Sequence, residues 1–110
     1  MEIATDIWVY ALIRRVEQGG AFATVARKGD ARSGAVLVKC FDRLAGETRL
    51  FSQAIRADGN LTWMQPLDSL IETDADAYAD RAARIDPDLW VVEIEAHDGA
   101  RFLTEPVARD

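Results

Sequence analysis

Six of the seven residues from Ala35 to Phe41 are apolar, and only Lys39 interrupts them. The first four, Ala35-Val36-Leu37-Val38, leave neither strand face polar, which is the pattern of a short strand covered on both sides. A central strand is therefore expected here, with the rest of the chain arranged around it. Upstream, Val9, Leu12, Ile13 and Val16 recur at helical spacing, Trp8 and Ala11 widen the stripe, and Arg14, Arg15, Glu17 and Gln18 stay polar. This predicts an amphipathic helix opened by Thr5 and Asp6 and stopped at Gly19-Gly20, where a glycine can take the left-handed conformation of a helix end. Phe22 to Arg27 reads as a first strand, and the turn-rich segment Lys28 to Gly34 joins it to the central one.

Beyond the turn Asp42 to Glu47, a third strand runs from Thr48 to Arg56, with Leu50 and Ala54 on one face and Phe51 and Ile55 on the other. Asp58-Gly59 is a strong hairpin signal, so Leu61 to Gln65 returns as a fourth strand. Ser69 to Glu72 and Thr73 to Asp76 both resemble capping boxes. The second opens directly onto the periodic set Ala75, Tyr78, Ala79, Ala82 and Ile85, so the second helix is expected to start there and to end near Ile85, before Pro87. Leu89 to Ala96 is the last strand, with Trp90, Val92, Ile94 and Ala96 facing one way and Glu93, Glu95 and His97 the other. After an Asp98-Gly99 turn, Arg101-Phe102-Leu103 is expected to pair briefly. The result is an α+β domain of order α-β-β-β-β-α-β, one mixed or antiparallel sheet of about five strands with a helix on each face. Both helices on one face is the alternative.

Composition narrows the setting. A chain of 110 residues, 49% apolar and 29% charged, fits a single globular domain. The longest apolar run near the start, Ile7 to Ile13, is about a third of a membrane span, and acidic Glu2 and Asp6 precede it, so neither a span nor a secretory signal is expected. The lone Cys40 cannot form an internal disulfide and reads as a small hydrophobe of the central strand, which fits a reducing cytoplasm. A net charge of -6 opposes nucleic-acid binding.

Trp8-Val9 followed by Leu12-Ile13-Arg14-Arg15, Gly29-Asp30-Ala31 leading through Gly34 to Lys39, and Asp86-Pro87-Asp88-Leu89-Trp90 to Glu95 together cover most of the chain. In these residues the sequence resembles a family of small bacterial proteins of about this length known only as a domain of unknown function. The resemblance implies a single cytoplasmic bacterial domain, and it brings no activity and no functional residues.

The residues themselves offer three sites. Glu93, Glu95 and His97 stand on one strand face about 6 to 7 Å apart, and carboxylates with an imidazole could take a divalent cation; the plainer reading is a solvent-facing strand side. Arg27, Lys28 and Arg32 surround Asp30 in a loop with two glycines, an arrangement suited to an anion or a partner. That loop matches neither a phosphate-binding nor a dinucleotide fingerprint, and its plainer reading is a solvated connection whose Asp30 caps a local turn. Trp63 and Met64, in a short strand after the hairpin, could form a contact patch or an exposed edge that pairs with a partner or a second copy; core burial is the competing reading.

A faint echo of restriction-endonuclease-like nucleases, Pro87-Asp88 with Glu93-Ile94-Glu95, fails on chemistry. Glu95 stands where that pattern has a lysine, and Leu37 stands where Lys39 would need an acid. No cofactor is implied. The expectation is a non-enzymatic protein-interaction module that binds a protein partner or itself, without nucleic acid or membrane. The alternative is a metal-dependent hydrolase or nuclease on the Glu93, Glu95, His97 face.

Overall fold

The computed structural model describes residues 3–108. In chain order its elements are α1 (Thr5–Gln18), β1 (Phe22–Arg27), β2 (Val36–Asp42), β3 (Glu47–Ile55), β4 (Leu61–Met64), α2 (Glu72–Ile85), β5 (Trp90–Glu95) and a 3-10 turn (Gly99–Phe102). The strands form one mixed sheet of order β1-β5-β2-β3-β4. Helix α2 carries the chain back so that β5 slots between β1 and β2, parallel to β2 and antiparallel to β1.

The central position of β2 follows from its residues: Val36 to Cys40 are all buried. Alternation sends them to two different layers. Val36, Val38 and Cys40 join Val9, Leu12 and Val16 of α1, together with Phe51, Trp63, Trp90, Val92 and Ile94. Leu37 packs with Ala75 and Ala79 of α2 and with Leu50, Leu89 and Val91 on the other side. One helix thus covers each face of the sheet.

Several local expectations change. Thr5 lies inside α1, and its hydroxyl donates to the Gly34 carbonyl at 2.9 Å instead of capping the helix. The first amides of α1 are satisfied from a distance: Thr5 N–H donates to the Arg32 carbonyl at 3.1 Å and Asp6 N–H to the Ala31 carbonyl at 2.9 Å. Helix α2 starts at Glu72, a position before the expected Thr73, and neither box supplies a side-chain cap to its backbone. Ser69 instead donates to the Asp74 carboxylate at 2.5 Å. Arg101-Phe102 lies in the 3-10 turn and not in a strand, because Leu103 N–H reaches back to the Ala100 carbonyl.

The segment that does pair lies further on. Trp63 N–H donates to the Pro106 carbonyl at 2.9 Å and Ala108 N–H to the Trp63 carbonyl at 2.7 Å, so the chain's own C-terminal segment covers the outer edge of β4. This corrects the reading of β4 as an exposed edge and of Trp63 as a contact residue. Trp63 is 0% exposed, stacks on Trp8 at 5.7 Å between ring centroids, and donates its indole N–H to Glu105 at 3.0 Å. Only Met64 of that pair remains exposed. At the opposite edge of the sheet, β1 has β5 alone beside it among the described residues.

Candidate functional site

An open cleft of about 820 Å³ lies between β1 and α2. Its floor is Val91 and Glu93 of β5 with Lys39 of β2, and Ala79 and Ala83 form an apolar wall on α2. Helix α2 sits chiefly over β2 and β3, with Val91 of β5 buried at its margin, and leaves the β1 side of this face open. The cleft is the space left over.

At one end is a buried cation. Lys39 points to the α2 side of the sheet and is 6% exposed. Its Nζ lies 2.7 Å from Asp76 Oδ1, 2.9 Å from Glu72 Oε2 and 3.8 Å from Glu93 Oε2. The geometry follows from register and periodicity: Lys39 and Glu93 are partners across parallel strands, and Glu72 and Asp76 are one helical turn apart. Burial pulls the Lys39 ammonium down, but its hydrogen bonds to Asp76 and Glu72 and the charge of Glu93 outweigh this, so its pKa lies above the ordinary 10.5. An ammonium so held is a charged lock between helix and sheet, and it is not a base.

At the other end are Arg27 and Arg84. Simple alternation along β1 would send Arg27 toward α1 with Ala23 and Val25. An irregularity between Val25 and Arg27 sets Arg27 opposite Val91 and turns it into the cleft.

The structure does not bring Glu93, Glu95 and His97 together. Glu93 faces Lys39, Glu95 accepts from Arg43 Nη2 at 2.8 Å, and His97 Nδ1 lies 2.8 Å from Asp42 Oδ2. Among the described residues no group of three or more His, Cys, Asp or Glu side chains is arranged to hold a metal ion. The Asp42 carboxyl sits below its ordinary pKa because the Ala45 backbone N–H and then His97 bond to it. Cys40 lines the same depression as Asp42 and His97, but burial, aided by the charge of Asp98, pushes its thiol up to about 12, so it is no nucleophile at neutral pH.

The loop from Lys28 to Gly34 spends its amides internally. The Asp30 carboxylate accepts from Arg32 N–H at 3.1 Å, from Ser33 N–H at 2.9 Å and from the Ser33 hydroxyl at 3.1 Å. These bonds, led by the Ser33 amide, hold the carboxyl below its ordinary pKa. The two glycines serve a close approach: a Cβ on Gly29 or Gly34 would stand 2.1 or 2.3 Å from the Asp88 carbonyl oxygen. The Trp90 indole N–H then donates to the Asp30 carbonyl at 2.7 Å. The loop clamps the start of β5, and of the four residues proposed for it only Arg27 lines the cleft.

The sequence reading missed the Lys39 cluster and Arg84. A signal was present: a lysine in an otherwise apolar central strand requires a buried counter-charge, and Glu72 and Asp76 at helical spacing supply one.

Comparison with known proteins agrees with this architecture. A crystal structure of a DUF1491 family protein from Caulobacter crescentus CB15 is 70% identical, with a TM-score of 0.94 over 97% of this chain and 100% of that one. An NMR structure of a DUF1491 family protein from the same organism is also 70% identical, with a TM-score of 0.91 over 99% of each chain. The solution structure of protein Atu0922 from A. tumefaciens is 30% identical, with a TM-score of 0.83 over 100% of this chain and 99% of that one. No curated protein matches. The sequence model described as protein of unknown function (DUF1491) matches residues 3–104, and the chain belongs to that family.

Proposed function

We propose that this chain is a non-enzymatic, cytoplasmic protein-interaction module that receives an extended segment of a partner protein along β1. One observation carries the reading: among the described residues β1 is a sheet edge with a single neighbour, whereas the segment around Pro106 to Ala108 closes the other edge. An unpaired edge is a template for a further strand. Along it, Phe22 to Ala26 carries no charge, and Phe22 is 72% exposed, which suits a contact better than a solvated rim. The reading without chemistry is supported by the protonated, triply engaged Lys39 and by the high pKa of Cys40. A free thiol suits a reducing interior, and no helix among the described residues is long and apolar enough to cross a membrane.

Backbone N–H groups of an edge strand point alternately to the neighbour and to solvent. Of Ala23→Pro and Thr24→Pro, one removes an outward donor and keeps the fold, as circular dichroism will identify. Affinity capture from the native cell extract should retain a partner on the wild-type chain and lose it on that folded variant. The same captured set on both would remove β1 as the working surface.

A further inference from the structure

We propose that the Arg27–Arg84 end of the cleft is a binding site for a single carboxylate group. Both guanidinium side chains line the same open space, and neither is in an ion pair among the described residues. Arg27 is fastened by one hydrogen bond, from Nη2 to the Pro87 carbonyl at 3.0 Å, while its Nε–H is buried with no acceptor. A buried donor without a partner is rare in a settled structure. Swinging the guanidinium toward the cleft gives up one bond and frees that stranded donor, so little opposes the movement when an anion is there to receive it.

The carboxylates of the cleft do not already fill this role. Asp76 and Glu93 are held by Lys39 at the far end, and Asp80, a helical turn before Arg84, makes no ion pair with it. The beds on either side are Ala26, Ala79 and Ala83, which leave room above Val91. Charge fixes the class of ligand. Along the lining Arg27, Lys39 and Arg84 meet Asp76, Asp80 and Glu93, with Glu72 also on Lys39, so the Lys39 end is negative while the Arg27–Arg84 end, with Asp80, keeps a single net positive charge. A group with one negative charge in the planar, two-oxygen form that a guanidinium fork matches is favoured over a phosphate or sulfate dianion, which the lining carboxylates would repel. The site takes Arg27 from the end of β1 and Arg84 from α2, and carboxylate binding in the cleft does not require that the edge of β1 be paired.

The carboxylate could belong to a free small acid or to the C-terminus of a peptide, and one experiment separates these. Backbone amide spectra of the full chain are followed during titration with acetate, with a short uncharged tripeptide acid, with the same tripeptide as its amide, and with phosphate. Saturable shifts confined to residues around Arg27, Ala79 to Arg84 and Val91 are expected with the acids, weakened at least tenfold in Arg84→Gln and abolished in Arg27→Gln/Arg84→Gln. Asp80→Asn should strengthen binding severalfold by removing a competing charge. Tripeptide binding at least tenfold tighter than acetate assigns a peptide terminus, and equal binding assigns a small acid. Absence of saturable shifts, shifts unchanged in the double variant, binding of the amide equal to that of the acid, or tighter binding of phosphate would each overturn the proposal. The spectra report the fold of every variant at the same time.

Discussion

The two faces of the sheet are built from the same strands but on different terms. Under α1, large rings fill the layer: Trp63, Trp90 and Phe51 are fully or almost fully buried, and the two indole N–H groups are met by Glu105 and by the Asp30 carbonyl. Under α2, the helix contributes alanines, and a buried lysine stands in the layer with carboxylates from helix and strand. The first face is a sealed core. The second is a seam that ends in an open cleft, and so it is where a ligand can approach. The contrast puts the large buried rings on one face and the buried ion cluster on the other.

The largest test of that contrast is Trp63→Ala. Loss of a fully buried indole from the α1 face should cost about 3 to 5 kcal/mol, read as a fall in the urea midpoint; a loss no larger than that of an exposed residue would mean the layer is not the core. Next is Gly34→Ala, which drives a methyl into the backbone oxygen of Asp88 and the ring of Trp90. About 1 to 3 kcal/mol should be lost, with a change in Trp90 fluorescence showing that the indole has left its seat.

The faces should also separate on alkaline titration. The Cys40 thiol stays protonated in the fold up to about 12, against 9.0 ordinarily, so above about pH 9 the unfolded chain binds fewer protons and stability falls as pH rises. Lys39, whose folded pKa is raised, contributes stability that is intact below its ordinary 10.5 and is lost as pH rises through the folded value. Urea midpoints followed from about pH 8 to about pH 11 should therefore fall first through the α1 face and only later through the α2 face. Cys40→Ala should flatten the first part of the decline, and Lys39→Met only the last.

The smallest effect is expected at neutral pH in Lys39→Met. The variant removes only the cation and leaves Glu72, Asp76 and Glu93 facing one another; because these carboxylates are 50%, 53% and 41% exposed, water screens their repulsion and the loss should be about 1 kcal/mol. A loss approaching that of Trp63→Ala would show that the seam depends on its charges as much as the core depends on its rings.

Much of this fold was legible in the sequence because it rests on short-range pattern. The 3.6-residue stripe of α1, the doubly apolar β2, the Asp58-Gly59 hairpin and the alternation of β5 each name their element and its buried side. Asp30 was readable as a cap of its own turn for the same reason, since its partners lie within three residues. The candidate site was only half legible. Lys39 announced a buried charge, but Glu72, Asp76 and Glu93 meet it from elements distant in sequence, and Arg84 carries no mark that distinguishes it from other helix-surface arginines.

The amino-acid pattern by itself determined which segments form helices and strands and that β2 is covered on both sides, because alternation and helical periodicity are properties of neighbouring residues. Only the tertiary structure decided that β5 enters between β1 and β2, that the C-terminal segment seals β4 while β1 keeps a single neighbour among the described residues, and that one irregularity in β1 turns Arg27 from the α1 side into the cleft. Those outcomes depend on register and on which edge a distant segment reaches first, and no local pattern of side chains encodes either.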